Sequence, residues 1–178
     1  MRRWFILSAV GRDRPGMVAD LAQLVFDYEA NLEDSRMTLL GNEFAAILLC
    51  SGDSDDLGER LATGARRLEW ENRMTVLLRP LEGEPRPPVP APGYRLCEIE
   101  AQGEDRAGIV ARICRTLADL RVNIADLRST SLPSPSGAAL YGMSLAVEVP
   151  ETLDVADLQK ALDEVGAQLG LEVGLTLV

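Results

Sequence analysis

Along this chain, short apolar segments typical of strands alternate with segments in which apolar residues recur every three to four positions. Both halves of the chain have these segments in the same order. Residues 4–10 form a short apolar run typical of a buried strand, and apolar residues then recur every three to four positions, as in an amphipathic helix. The predicted elements of the first half are strands over 4–10, 31–40, 43–50 and 74–79, a helix with Met17, Val18, Leu21, Leu24, Val25 and Tyr28, and a helix with Leu57, Leu61, Ala65 and Leu68.

The second half repeats this order of elements. Its predicted elements are strands over 94–101, 123–131, 140–149 and 171–177, a helix with Ile109, Val110, Ile113, Leu117 and Leu120, and a helix with Val155, Leu158, Leu162 and Val165. The order βαββαβ predicts an α+β fold of the ferredoxin-like class, in which a four-stranded antiparallel sheet carries both helices on one face. We therefore predict two such domains.

Two motifs recur at a single offset. The segment GRDRPGMV at 11–18 returns as GEDRAGIV at 103–110, and NLEDSR at 31–36 returns as NIADLR at 123–128, both 92 positions later. Since the spacing between the motifs is kept, everything between them is the same structural unit. Prolines cluster between the halves, which predicts a first domain over 1–80, a proline-rich linker over 81–93 and a second domain over 94–178.

The first strand of each half has one face toward the predicted core and one face away from it. In the first half the outward face carries Trp4 and Ile6, whereas the second half has Glu98 and Glu100 among its outward residues. The helix-free face of the first domain is therefore the more apolar one. Either it packs on a partner such as a second copy of the chain, or the linker and loops cover it.

Charge and composition exclude several classes of function. The formal net charge is −10 and Lys160 is the only lysine, so the phosphate contacts that dominate direct nucleic-acid binding are poorly supplied. The chain has no histidine, which excludes histidine-based acid–base catalysis, serine–histidine or cysteine–histidine pairs and histidine metal ligands. No apolar run approaches the ~18 residues that span a bilayer, so we expect a cytoplasmic protein without membrane contact.

The remaining reactive residue types favour a protein that is not an enzyme. Cys50, Cys97 and Cys114 are scattered in apolar segments, as expected for buried thiols in a reducing compartment. A carboxylate pair is the catalytic device that composition still allows, but the acidic run at 53–56 is typical of a solvated helix start. We expect no catalytic residue, no metal and no cofactor.

A glycine-containing turn before the first helix of each half is the sharpest candidate for a binding site. Such a turn leaves the first N–H groups of the helix available at the positive end of its dipole, which suits a carboxylate. If Asn31 and Asp34 lie beside the turn on an edge strand, the amide can bond either end of an amino acid and Asp34 favours the ammonium. The alternative is scaffold: Gly16 for close packing of helix on sheet, Asp13 as a helix cap, and Asp34 in an ion pair with Arg36.

The two motifs, together with GNEFA before the third strand, resemble the ACT domain, a regulatory module that binds amino acids. Transferred position by position, the resemblance implies ligand contacts from Arg12, Asp13, Arg14, Gly16, Met17, Asn31 and Asp34 in the first copy and from Asp105, Gly108, Ile109, Asn123 and Asp126 in the second. Ala107 replaces the usual proline, which makes the second turn less rigid. The resemblance also implies that the ligand binds where two ACT domains meet along their second strands.

We therefore expect a regulator that binds a small amino acid, glycine or serine, and modulates transcription through a transcription factor rather than through DNA. A regulatory subunit acting on an amino-acid or one-carbon metabolic enzyme, and an interaction module without a ligand, are the alternatives. The sequence also leads us to expect a homodimer.

Overall fold

The computed structural model describes residues 2–86, 90–133 and 139–178. By its internal contacts the chain divides into two compact units, Met1–Pro87 and Pro88–Val178. Residues 87–89 of the predicted linker, and 134–138 of the predicted loop before the seventh strand, lie outside the described residues. No helix in the described ranges is long and apolar enough to span a bilayer.

The first unit is a four-stranded antiparallel sheet with two helices. Its elements are β1 (Arg3–Arg12), α1 (Met17–Asp27), β2 (Asn31–Leu40), β3 (Glu43–Gly52), α2 (Leu57–Asn72) and β4 (Thr75–Pro80), and the strand order across the sheet is β2-β3-β1-β4. β1 therefore lies in the centre, paired with β3 on one side and β4 on the other.

The second unit repeats this arrangement. Its elements are β5 (Tyr94–Glu104), α3 (Ile109–Asp119), β6 (Asn123–Pro133), β7 (Ala139–Pro150), α4 (Val155–Leu169) and β8 (Leu171–Leu177), with the strand order β6-β7-β5-β8. The predicted fold class, two ferredoxin-like βαββαβ units, is confirmed.

Each unit has its own core between the helices and one face of the sheet. In the first unit Leu7 from β1, Leu21 from α1 and Leu61 from α2 belong to one buried cluster. Burying a leucine side chain in this way contributes roughly 1.5–3 kcal/mol. Ile99, Ile113 and Leu162 occupy a corresponding cluster in the second unit. The two faces of β1 and β5 divide as the alternation predicts, because Phe5, Leu7, Ala9, Cys97, Ile99 and Ala101 are all buried.

The edge strand β2 has the predicted bounds but no buried side. Its residues alternate in polarity as expected for a strand with one buried side, yet all ten are exposed. The side chains of Met37 and Leu39 are each 52% exposed. The reason is its position, because β2 is the outermost strand and has a neighbouring strand, β3, on one side only. Its apolar side chains would be buried only if another strand or another protein packed along the open edge.

The start of α1 also differs from its prediction. A proline such as Pro15 fits the first helical position, and the scaffold interpretation made Asp13 a cap, but the helix begins at Met17, two residues after Pro15. Gly16 is the N-cap residue, with φ of 96°, and no side chain caps the helix. Since L-residues rarely adopt this backbone conformation, Gly16 determines where the helix begins.

Candidate functional site

The turn before each first helix presents main-chain groups rather than side chains. Gly16 and Gly108 both have positive φ, 96° and 91°, and neither α1 nor α3 has a side-chain N-terminal cap. Met17 and Ile109, both predicted to contact a ligand, have side chains buried in the cores. They can therefore offer a ligand only their main-chain N–H groups, which lie at the positive end of the helix dipole.

The first turn is fastened on two sides. The main-chain N–H of Asp13 donates to the carbonyl oxygen of Asn42, 2.9 Å away, in the β2–β3 hairpin. The guanidinium of Arg14 forms an ion pair with Asp20, at 2.6 Å, and donates to the side chain of Asn72. Arg14 therefore holds the turn against α1 and the end of α2, whereas Arg12 and Asp13 have exposed side chains.

The second turn is held in a similar way. The main-chain N–H of Asp105 donates to the carbonyl oxygen of Ala139 at 2.9 Å. Its carboxylate accepts a hydrogen bond of 2.6 Å from the hydroxyl of Ser131 on β6. Asp105 thus connects the turn to the end of the edge strand, a contact that the sequence motif did not indicate.

Within each unit, the predicted asparagine lies far from the predicted turn. Asn31 is paired with Ser51 on β3, and Ser51 with Trp4 at the beginning of β1, whereas the turn follows Arg12 at the other end of β1. At about 3.3 Å per residue, the separation along the sheet is on the order of 25 Å. The second unit has the same arrangement, since Asn123 is paired with Glu148, whose partner on β5 is Leu96. A single unit therefore does not bring the two halves of the predicted site together.

A polar cluster surrounds Asn31 at its own end of the sheet. The side chain of Glu33 accepts hydrogen bonds from Asn31, at 2.8 Å, from Ser51 and from Arg2. The hydrogen bonds from Ser51 and Asn31, and then the charge of Arg2, lower the pKa of Glu33 from its ordinary value despite partial desolvation. Asn31, Ser51 and Arg2 line a cavity of about 530 Å³ together with Tyr28.

Sequence reasoning missed Glu33 because its position depends on an irregularity in the strand. The register between β2 and β3 shifts between Leu32 and Asp34, so Glu33 is an extra residue in the ladder. In the second unit the side-chain nitrogen of Asn123 likewise donates a hydrogen bond of 2.8 Å to a carboxylate oxygen, but there the acceptor is Glu148 on β7. The alternating pattern of the sequence carries no signal for a single inserted residue.

The two predicted aspartates directly follow the inserted residues of the bulges, Glu33 and Ala125. Asp34 accepts a hydrogen bond of 2.7 Å from the main-chain N–H of Ser35, and it lies beside Leu49 on the sheet. Asp126 forms an exposed ion pair of 3.3 Å with Arg128. This is the type of contact that the scaffold interpretation proposed for Asp34 and Arg36, here at the corresponding positions of the second unit.

The cysteines have the properties of core residues. Cys50 is fully buried, and this burial, with a smaller contribution from the charge of Glu33, raises the pKa of its thiol to about 11. Burial also raises the pKa of Cys97 and Cys114. At neutral pH these thiols are protonated and therefore poor nucleophiles. Among the described residues, no group of histidine, cysteine, aspartate and glutamate side chains is arranged to hold a metal ion.

Comparison with known proteins identifies the family. The family model described as the ACT domain matches residues 3–78 and again 98–176. The chain is 26% identical over 179 aligned residues to the glycine cleavage system transcriptional repressor of Escherichia coli, and the alignment covers 99% of this chain and 91% of that protein. A crystal structure of an unknown protein from Galdieria sulphuraria shares 30% identity with a TM-score of 0.85, covering 100% of this chain and 99% of that one. The chain therefore belongs to the ACT domain family, as a tandem ACT-domain protein that resembles the glycine cleavage system transcriptional repressor.

Proposed function

We propose that this protein is a non-enzymatic regulator that binds a small amino acid, glycine or serine, and modulates transcription through a partner protein. The observation that carries the proposal is the repeated pair of features at the two ends of each edge strand. One end has an uncapped helix start at a glycine turn, and the other has an asparagine amide beside a carboxylate. These features match the two ends of a zwitterion.

The separation of these two features within one unit supports a site formed by two copies of the chain. The exposed strand β2 has an open hydrogen-bonding edge, and such edges tend to pair with another strand. Antiparallel pairing of β2 with β2 of a second copy would place Asn31 of one copy opposite the end of β2 in the other. That end adjoins Asn42, to which the turn at Asp13 is bonded. The two halves of the site would then meet across a homodimer.

The expected affinity follows from the size of the ligand. Small ligands gain at most about 1.5 kcal/mol per heavy atom, so a glycine-sized molecule cannot exceed roughly 7 kcal/mol. The dissociation constant is then no tighter than about 10 μM. Such a value suits a sensor that responds to metabolite concentration.

A ligand held between two copies would regulate by changing how they associate. If the ligand binds the associated state more tightly than the separated state, its binding stabilises association by that difference in binding free energy. The change in association alters the surface offered to a partner. The E. coli relative is named a transcriptional repressor. The net charge of −10 favours a protein partner over direct contact with DNA.

A thermal-unfolding screen of the purified protein against the common amino acids tests the ligand, followed by calorimetric titration of the best one. Saturation at 100 times the dissociation constant should stabilise the protein by about 2.7 kcal/mol. We expect Asp34→Ala to weaken binding because it removes an acceptor for the ammonium group. Glu164→Ala, which removes an equal charge from an exposed position on α4, should bind like the wild type. The absence of stabilisation by any amino acid would contradict the proposal.

The partner is tested by purification of the tagged protein from native lysate, with and without the amino acid. Recovery of a transcription factor supports the proposed function. Recovery of a metabolic enzyme would instead support a regulatory subunit that acts on that enzyme directly.

A further inference from the structure

We propose that Glu33 and Glu148 are positioning residues, which hold the side-chain amides of Asn31 and Asn123 so that each amide oxygen remains for the ligand. On this basis the asparagine end of each site accepts N–H donors and selects a primary ammonium group. The inference rests on the proposed function, because it states which end of an amino acid each half of the site binds. Glu33 lies within the repeated motif at 31–36 but is not shared, because Ala125 stands at that position in the second half, and Glu148 lies outside both motifs.

The geometry of the first unit determines how the Asn31 amide is used. Its nitrogen donates to a carboxylate oxygen of Glu33 at 2.8 Å. The reverse orientation would place the amide oxygen against the carboxylate oxygen, and two acceptors cannot form a hydrogen bond with each other. Asn31 is exposed and lines the cavity of about 530 Å³, so its amide oxygen is the acceptor left for a ligand there.

The carboxylate of Glu33 is itself fixed in place. Ser51 donates to it from β3, and Arg2 forms an ion pair with it while also donating to the hydroxyl of Ser51 at 3.1 Å. Arg2 also lies 5.0 Å from the centre of the Trp4 ring, which restricts the guanidinium from a further side. A carboxylate with this many partners has a defined position, and it therefore defines the position of the amide.

The second unit reaches the same arrangement with a different residue. The nitrogen of Asn123 donates to a carboxylate oxygen of Glu148 at 2.8 Å, and Glu148 is only 8% exposed. By strand register, Glu148 occupies the position that Ser51 has in the first unit. The inserted residue that corresponds to Glu33 is Ala125, which has no carboxylate.

This exchange supports a positioning role over an incidental contact. A glutamate that bonded its neighbour by chance would have no reason to be replaced by one from the adjacent strand when it is absent. Both units nevertheless place a carboxylate beside the side-chain nitrogen of the corresponding asparagine, Asn31 or Asn123. The requirement common to both units is therefore the orientation of the amide.

The ligand consequence concerns the ammonium group. The amide oxygen accepts hydrogen bonds from a primary ammonium, and the negative charge of the adjacent glutamate repels a ligand carboxylate even though the amide nitrogen keeps a second N–H. Glycine provides three N–H donors, whereas N,N,N-trimethylglycine provides none with the same carboxylate. We expect the wild type to bind glycine at least tenfold more tightly than the trimethyl compound.

The orientation is tested without any ligand by NMR of the side-chain amide of Asn31, in the full-length protein. In the wild type the N–H chemical shifts of Asn31 should change with pH as the carboxylate of Glu33, which Arg2 and Ser51 also contact, becomes protonated. Glu33→Gln should abolish this shift, while Glu164→Gln, on exposed α4, should retain it. Signals that do not respond to the titration or to Glu33→Gln would overturn the proposal, whatever the protein binds.

The selectivity is tested by calorimetry with glycine and N,N,N-trimethylglycine. The isosteric Glu33→Gln variant can satisfy either orientation of Asn31, so glycine affinity should fall about tenfold and the discrimination between the two compounds should shrink. The double variant Glu33→Gln, Glu148→Gln removes both carboxylates. If it binds glycine as tightly as the wild type does and discriminates equally well against the trimethyl compound, the inference is overturned while the amino-acid-binding function stands. If no amino acid binds to the wild type, the proposed function fails and so does the selectivity.

Discussion

The main-chain N–H of Asp13 lies 2.9 Å from the carbonyl oxygen of Asn42, so the turn before α1 is bonded to the hairpin that ends β2. Asp105 and Ala139 form the corresponding bond in the second unit, also at 2.9 Å. The turn is therefore ordered before any ligand arrives, so ligand binding has only a small entropic cost from ordering the main chain. Because the hairpin terminates the edge strand, the same bond connects the turn to the edge at which we propose that two copies pair.

The conformation of Gly108 gives the first prediction. Gly108→Ala should destabilise the protein by about 1–2 kcal/mol, because an L-residue is strained at its φ of 91° although no atom would lie within 4 Å of the added Cβ. Urea unfolding measures the difference. Gly174→Ala is the matched control in the same unit, since Gly174 has open space and no positive φ, and its stability should be unchanged or slightly raised. Equal effects of the two substitutions would show that the strain at Gly108 is absent.

The second prediction concerns Glu33 and acid. Its pKa lies below the ordinary value of about 4.5, mainly because of the hydrogen bonds from Ser51 and Asn31. The stability contributed by its charge is therefore fully present above pH 4.5 and is lost as pH falls through the lowered pKa. Urea unfolding between pH 6 and pH 3 should show a shallower acid loss for Glu33→Gln than for the wild type. The exposed control Glu164→Gln should follow the wild type, and the same slope in all three proteins would contradict the assignment.

The third prediction concerns thiol reactivity. The pKa of Cys50 is raised to about 11 and its side chain is fully buried, so it should not react with iodoacetamide in the folded protein at pH 8. Cys97 is equally buried, whereas Cys114 is partly exposed. Peptide mass spectrometry should find Cys114 modified first and the other two only after unfolding. Rapid modification of Cys50 in the folded protein would mean that the core around it opens.

The fourth prediction concerns the edge of the first sheet. If β2 pairs with β2 of a second copy, Met37→Lys should shift the protein toward the monomer, because a charged side chain near the edge opposes strand addition. Sedimentation equilibrium measures the mass. Leu77→Lys is the control on the opposite edge strand β4, where the leucine is 63% exposed, and it should leave the association unchanged. A dimer that persists in Met37→Lys would exclude this mode of pairing.

Much of the fold was predictable because hydrophobic spacing and turn residues act locally. The bounds of β2 and β8 agree with the prediction, since Asn31 and the Gly41 turn mark β2, and Leu171 follows Gly170 at the end of α4. The start of α1 was not predictable in the same way. Pro15 fits a first helical position in general, and only the three-dimensional turn shows that the positive φ of Gly16 places the start later.

The candidate site was predictable at the level of its turn but not of its polar cluster. Gly16 and Gly108 were recognised from the repeat, and both occupy the uncapped helix start. Glu33 and Glu148 were missed because their positions follow from a strand register shifted by one residue. The distance between Asn31 and the turn was missed as well, although the predicted fold implies it: β1 and β2 both run antiparallel to β3, so β2 begins at the end of the sheet where β1 begins, away from the turn.

The shift of the carboxylate from Glu33 to Glu148 also affects how relatives should be compared. An alignment of the two halves places Glu33 in a column with Ala125, and Ser51 in a column with Glu148, so neither column contains a shared acid. A search for binding residues column by column would discard both glutamates as variable. Homologues of this chain are better sorted by whether any neighbouring strand supplies an acid to the asparagine, because that property can persist while the residue that provides it changes.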